Sequence, residues 1–423
     1  VPDNFTLRAN LIVADEAGNL VEDPRYLPVA RTGSHLAELL ASDLIPLPEG
    51  ATIVSMPGCR PLGIDKRTGR RVLLSDGYNA VGALLPQGYT RLFLPGFSKD
   101  ADRDPLPLFG YTAVAWTDNG PYVAAMLTDE ASKWNPLLSP DDETERLVAS
   151  LLAKHDGNRL YEHLSHCALT YGCLTARNTF FGRWEGALPV SSTCNAGCVG
   201  CISEQPSDSP FPSPQTRLTF RPTVDEMVDV MVTHLNTSPE AIISFGQGCE
   251  GEPATRGRDI AIAISRARAI TQSGYVNINT NAGLTQMIKG IVDAGLNLMR
   301  VSTISANPEH YEAYYRPRGY DVGDVATSLR YAADHGVYTS INYLVFPGVT
   351  DRKDEVEAMV EFLHENKVKQ VQMRNLNIDP DFYLGKIPEQ QGELLGMDAV
   401  ISIFRQEGFE VGSFTHTPSH TLR

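Results

Sequence analysis

The sequence predicts an α/β protein with a β-rich first part and a repeating β/α second part. Two observations carry that prediction. Before about residue 156, short β-branched runs are separated by Gly, Pro and Asn-Gly turns. After about residue 186, short apolar runs alternate with stretches of helical periodicity, six times over. Six such units with buried parallel strands fit a doubly wound sheet or a partial β/α barrel.

The elements follow in order. The runs at 111–116 and 122–127 flank Thr117-Asp118-Asn119-Gly120, and Asn-Gly between two such runs predicts a hairpin. Lys66-Arg67-Thr68-Gly69, with Val72-Leu73-Leu74 returning, predicts another. Ser139 as N-cap with Pro140 in the first turn opens a helix, striped by Leu147, Val148, Leu151 and Leu152 and stopped near Gly157. Residues 1–156 are therefore expected to form the β-rich domain, and 157–185 a connecting segment. The repeat begins with a strand at 187–191, a loop over 203–214 and a capping box of Thr223 with Glu226. Strands are predicted at 242–245, 276–279, 298–304, 338–346 and 368–376, with helices between them. Residues 186–380 make up the repeat domain. Residues 381–423 form an extension with a helix at 399–406 and a short strand at 409–411.

The chain has 423 residues, 42% hydrophobic and 21% charged, which fits a globular protein of two to three domains. Its 36 Lys+Arg against 51 Asp+Glu give a net charge of -15. That excludes affinity built on phosphate-backbone contacts, so nucleic acid is not an expected partner. No apolar run reaches the roughly 18 residues of a membrane span. The opening residues lack a secretory-leader pattern, and a cytoplasmic location is expected. Seven cysteines, three of them within eight residues, fit metal or redox chemistry better than a disulfide framework.

Those three are Cys194, Cys198 and Cys201, in a C-x3-C-x2-C run just after the first repeat strand. Three thiolates on one tight loop can hold three corners of a [4Fe-4S] cluster, leaving the fourth iron open to a ligand. Ala196, Gly197 and Gly200 let the loop wrap closely. A structural zinc would want a fourth ligand, usually from a second pair, and no such pair follows.

The run resembles the signature of the radical S-adenosylmethionine (SAM) superfamily. That resemblance implies a partial (β/α)6 TIM-type barrel over 186–380, with the cluster on Cys194, Cys198 and Cys201. It also implies SAM on the open iron, reductive cleavage, and a 5′-deoxyadenosyl radical that abstracts hydrogen. Gly251-Glu252-Pro253 looks like the family's GGEP motif, which implies that Glu252 receives the SAM ammonium. Asn279-Thr280-Asn281 is similar to a TNG-like turn. The stretch with Arg300, Ser302, Tyr311, Tyr315 and Arg316 resembles MoaA-like and peptide-modifying members. The implied cofactor-binding set is Glu252, Asn281, Arg300, Ser302, Asn342 and Arg374, with Gln372 and Asn375 on the same strand as Arg374. The family often has an aromatic residue before the third cysteine, where this chain has Gly200. Implied partners are an electron donor such as flavodoxin or ferredoxin, and a peptide or small-molecule substrate. The alternative class is an iron–sulfur electron carrier or scaffold without SAM chemistry, which calls for a fourth cysteine.

Each residue also has a plainer reading. Glu252 can be a solvated loop carboxylate, Arg300 a core-edge ion pair and Ser302 a locally bonded hydroxyl. Strand polarity alone does not assign a face to Asn281, Asn342 or Arg374. Cys59, Cys167, Cys173 and Cys249 read as buried free thiols rather than as auxiliary-cluster ligands, since Cys59 is remote and C-x5-C is not diagnostic. Beside the Gly251-Glu252-Pro253 stretch, Cys249 can also be read as a hydrogen-donating thiol.

Overall fold

The computed structural model describes residues 9–416 apart from 75–76, 100–102, 131, 208 and 238–239. The opening residues, read above for a leader, therefore lie outside the described residues. Seven parallel strands form one sheet in chain order: β1 (Glu185–Leu188), β2 (Ile242–Phe245), β3 (Tyr275–Thr280), β4 (Leu298–Thr303), β5 (Tyr338–Val345), β6 (Gln370–Asn375) and β7 (Glu410–Gly412). All four residues of β2 are buried, as expected of strands covered on both faces. The sheet is a partial TIM-type barrel. Six strands were expected; the seventh pairs through Gln370↔Glu410, Val371↔Val411 and Gln372↔Gly412. The segment after residue 380 thus extends the barrel sheet. A three-residue strand carries too little periodicity to announce its partner.

Three helices precede the barrel: α1 (Asp141–Lys154), α2 (Arg159–Thr170) and α3 (Leu174–Phe181). Val148, Leu160, Leu164 and Phe180 from these helices share one core with Leu188 and Ile243 of the barrel. Ser139 does not cap α1. Pro140 takes the N-cap position without a side-chain bond, and Asp141, Asp142 and Glu143 face the helix's positive end. The Ser139 carbonyl accepts from Arg177 Nη1 at 2.7 Å instead. Outside the sheet lie α4 (Val224–Leu235), α5 (Gly257–Ile270), α6 (Thr285–Asp293), α7 (Pro308–Tyr315), α8 (Val322–Asp334) and α9 (Lys353–Glu365), then α10 (Pro380–Leu384) and α11 (Met397–Gln406). The capping box of α4 forms as the sequence predicts, with Thr223 and Glu226 satisfying each other's backbone N–H.

Residues 11–127 build antiparallel sheets. The Asn-Gly hairpin pairs Thr117 with Gly120, and Arg71–Leu73 returns along Cys59–Asp65. This β-rich domain seats on the C-terminal ends of β5 to β7. The fully buried Arg91 guanidinium donates to the Leu376 carbonyl at 2.7 Å and stacks over Phe346. Arg91 N–H donates to Asn375 Oδ1 at 3.0 Å, and Asn375 Nδ2 to the Tyr89 carbonyl at 2.9 Å. Arg31 pairs with Asp381 at 2.7 Å and Arg103 with Asp379 at 2.8 Å. Asp129 Oδ2 accepts from Ser413 N–H at 2.8 Å, just past β7.

Candidate functional site

A cavity of about 680 Å³ opens at the C-terminal ends of the strands, where β/α barrels place their chemistry. The β-rich domain roofs it with residues 84–89, Phe109 and Gly110. The nine residues of the expected cluster and cofactor-binding sets line it, Cys194, Cys198, Cys201, Glu252, Asn281, Arg300, Ser302, Asn342 and Arg374, as do Tyr315 and Asn375, whereas Tyr311, Arg316 and Gln372 do not.

The cysteine loop leaves β1 and is fastened to the end of α7. Gly197 N–H donates to the Tyr315 carbonyl and Val199 N–H to the Tyr314 carbonyl, both at 2.9 Å. Arg318 N–H donates to the Asn195 carbonyl at 2.8 Å. Burial pushes the Cys198 thiol well above its ordinary range, and nearby Cys201 and Cys194 add to the rise. A bound metal reverses that balance, because coordination deprotonates a thiol outright. Arg217 Nη2 lies 3.8 Å from Cys201 Sγ. A Cβ on Gly200 would stand 2.9 Å from the Tyr314 hydroxyl, so an aromatic ring from α7 borders this position.

Glu252 is buried, not solvated. One of its oxygens accepts from Ala254 N–H at 2.9 Å and from the Thr280 hydroxyl. The other accepts from Asn281 N–H at 2.7 Å and keeps a lone pair for a further donor. Burial raises its pKa despite these donors. Asn281 Nδ2 in turn donates to Asn195 Oδ1 at 2.7 Å, tying the third strand's turn to the cysteine loop.

The strand residues face inward. Arg300 Nη1 donates to Gln372 Oε1 at 3.2 Å and to Thr415 Oγ1 at 3.1 Å, and Arg300 Nη2 lies 3.9 Å from Glu185. Arg374 Nη1 donates to Gln87 Oε1 at 3.1 Å, joining barrel to roof. Burial, and then repulsion from Arg300, push the Arg374 guanidinium down to about 9. Arg300 Nε and Asn342 Oδ1 are buried without a hydrogen-bond partner among the described residues, which marks this wall as built to receive a polar ligand. Ser302 Oγ and Asn342 Nδ2 are 3.5 Å apart.

Sequence reasoning missed Glu250. It is buried, and its carboxylate accepts four backbone N–H groups: Val190 at 2.7 Å, and Ser191, Gly246 and Gln247 at 2.8 Å. It pins the end of β1 to the end of β2, directly before the cysteine loop. Its place two residues before Glu252 carried no signal of its own. Two glycines keep this junction tight. A Cβ on Gly251 would lie 2.1 Å from the Thr193 carbonyl oxygen, and one on Gly246, at φ +82, would lie 1.8 Å from that of Asn279.

All four remaining cysteines are free thiols, as expected, and all but the half-buried Cys173 are buried. Cys59 does stand apart, packed with Met56, Phe97 and Tyr111 in the β-rich domain. Cys167 and Cys249, however, converge with His163, and both border the cavity together with Cys173. Hydrogen bonds from Cys249 and His163 hold the Cys167 thiol below its ordinary range.

Residues 188–363 match the family model described as the Radical SAM superfamily. Similar solved structures include a radical SAM methyltransferase from Sphaerobacter thermophilus, at 17% identity and TM-score 0.39, covering 54% of this chain and 64% of that one. SuiB of Streptococcus suis, solved with S-adenosylmethionine, matches at 13% identity and TM-score 0.39, covering 75% of this chain and 73% of that one. The coproporphyrinogen III oxidase HemN of Escherichia coli matches at 13% identity and TM-score 0.36, covering 53% of this chain and 52% of that one. The chain thus spans under two thirds of the methyltransferase's length. No curated protein matches the sequence.

Proposed function

We propose that the chain is a radical SAM enzyme, on the match of residues 188–363 to that family model, that Cys194, Cys198 and Cys201 hold its [4Fe-4S] cluster, and that SAM binds beside them in the cavity. The family uses both cofactors. When bound, the pair supplies a one-electron cleavage of SAM that yields a 5′-deoxyadenosyl radical able to abstract hydrogen.

The observation that carries the reading is one cavity lined by all three thiols of a fastened loop, a buried acceptor and two guanidiniums. The donor set fits the cofactors. Three thiolates leave one iron open. The spare lone pair of Glu252 suits an ammonium, and Arg300 and Arg374 suit a carboxylate. The partnerless Asn342 Oδ1 suits a hydroxyl of the ribose. Tyr314 offers a ring to the adenine side. Residues 84–89 of the β-rich domain cover the cavity that would hold the reacting atoms.

A cavity of about 680 Å³ is in the range of small-molecule sites, so SAM and substrate must share it. A small metabolite or a short segment of a peptide meets that limit, and the net charge of -15 disfavours nucleic acid. A flavodoxin or ferredoxin would supply the electron. No helix among the described residues is long and apolar enough to cross a membrane, and a cytoplasmic location is part of this proposal.

The test is anaerobic reconstitution followed by dithionite and SAM. Release of 5′-deoxyadenosine, with about four irons per chain, is expected. Full SAM cleavage by a variant with all three cysteines changed to Ala overturns the ligand assignment. Glu252→Gln is expected to weaken SAM binding in calorimetry while the cluster's absorption persists; unchanged affinity would remove Glu252 from the SAM site.

A further inference from the structure

Among the described residues, one group of three soft ligand atoms lies within 4.8 Å of one another: His163 Nε2, Cys167 Sγ and Cys249 Sγ. His163 and Cys167 stand one helical turn apart on α2, so both project from the same face. The separation from His163 Nε2 to Cys167 Sγ is 3.7 Å. Cys249 comes from the loop after β2, and its carbonyl is fixed by Leu218 N–H at 2.8 Å. The Cys167 carbonyl accepts from Cys173 N–H at 3.0 Å, and the His163 ring meets Phe220 edge-on at 6.2 Å. The ligand atoms are thus held from two sides before any ion arrives.

We propose that His163, Cys167 and Cys249 form a second metal site, a mononuclear Zn²⁺ centre whose fourth corner faces the cavity. The closeness of the three atoms, all within 4.8 Å, favours a single ion. Tetrahedral Zn²⁺, with bonds near 2.3 Å to sulfur and 2.0–2.1 Å to nitrogen, sets its ligands about 3.5–3.8 Å apart. The His163–Cys167 pair, at 3.7 Å, falls in that interval, and Cys249 Sγ, within 4.8 Å of both, would draw in by up to about 1 Å on binding. A cubane places each thiolate on its own iron, which spreads its ligands wider than a single ion does. Two thiolates and one imidazole are a soft set that suits Zn²⁺ over Mg²⁺ or Ca²⁺. Three protein ligands with an open fourth position is the arrangement of a zinc that binds a substrate group. Cys167 and Cys249 border the same cavity as Cys194, Cys198 and Cys201. The open corner therefore takes a thiolate or carboxylate of the molecule that occupies that cavity and holds it in place.

Cobalt(II) substitution tests this in full-length protein. The Cys194→Ala, Cys198→Ala, Cys201→Ala variant removes competition from the loop, so the result does not depend on the cluster reading. This variant is expected to bind about one Co²⁺ per chain, with the thiolate charge-transfer and intense visible bands of a tetrahedral site. Adding Cys167→Ala or Cys249→Ala should abolish both. His163→Cys should keep the ion and strengthen the charge-transfer band, which separates ligand exchange from misfolding. An added small thiol, 2-mercaptoethanol, should shift the visible bands by entering the open corner. No bound Co²⁺, or a spectrum indifferent to Cys167 and Cys249, overturns the site. About four irons on the same variant after reconstitution overturn the single ion. Bands that ignore the added thiol but change in Cys173→Ser show Cys173 closing the fourth corner and overturn the open position.

Discussion

Glu250→Gln removes one of two carboxylate oxygens that each accept two backbone N–H groups. The amide nitrogen of Gln then faces a pair of donors with donors of its own. Hydrogen bonds to a charged group contribute about 1.5–3 kcal/mol each, so losing two removes about 3–6 kcal/mol, offset in part because the neutral amide sheds the burial penalty that lifts this carboxyl to about 7. That is a large share of the 5–15 kcal/mol by which a typical domain is stable. The damage is local, because Val190 and Ser191 lead straight into the cysteine loop. Urea unfolding at pH 8 is the assay, since burial lifts this carboxyl to about 7 and it is ionised there. Iron content after reconstitution should fall in the same variant. A loss under about 1 kcal/mol, below the value of a single such bond, would refute the claim that Glu250 clamps the two strand ends.

Gly251→Ala should cost about 1–3 kcal/mol or more and lower iron incorporation, because its Cβ meets the fixed Thr193 backbone; near-native iron content and melting temperature would count against it. A 157–423 fragment retains both cysteine sites but loses the roof and α1, exposing the Val148 contact and the seat of Arg91; aggregation or loss of SAM binding is expected on gel filtration and calorimetry. The hydrogen bond to Asp129 raises the pKa of His416. A raised histidine stabilises fully below its unfolded value near 6.5 and loses that contribution as pH rises through its folded value. The stability gap between wild type and His416→Gln should therefore shrink as thermal melts move from pH 6 to pH 9.

Legibility followed the range of the interactions. The barrel strands were visible because burial on both faces writes continuous apolar runs, and the α4 capping box because both its partners lie within four residues. Cys194, Cys198 and Cys201 stood out because their spacing alone puts them on one short loop, which the structure places at the cavity. Glu250 was not, since its partners are backbone groups that any residue supplies. The pairing of β7 was hidden for a related reason: three residues state a strand but not a neighbour. The meeting of His163, Cys167 and Cys249 depends on where α2 packs against the β2 loop, a tertiary outcome that no local period encodes.

The seating of the roof also has a consequence in time. A ribosome makes residues 84–91 early, yet their seats at Asn375 and Leu376 lie about 285 positions later. At about 5–20 residues per second, roughly a quarter of a minute to a minute separates the two. The cysteine loop is made about 175 positions before Leu376, so it stays uncovered for the later part of that interval. The roof can therefore close over that loop only after the barrel strands that seat it have been made.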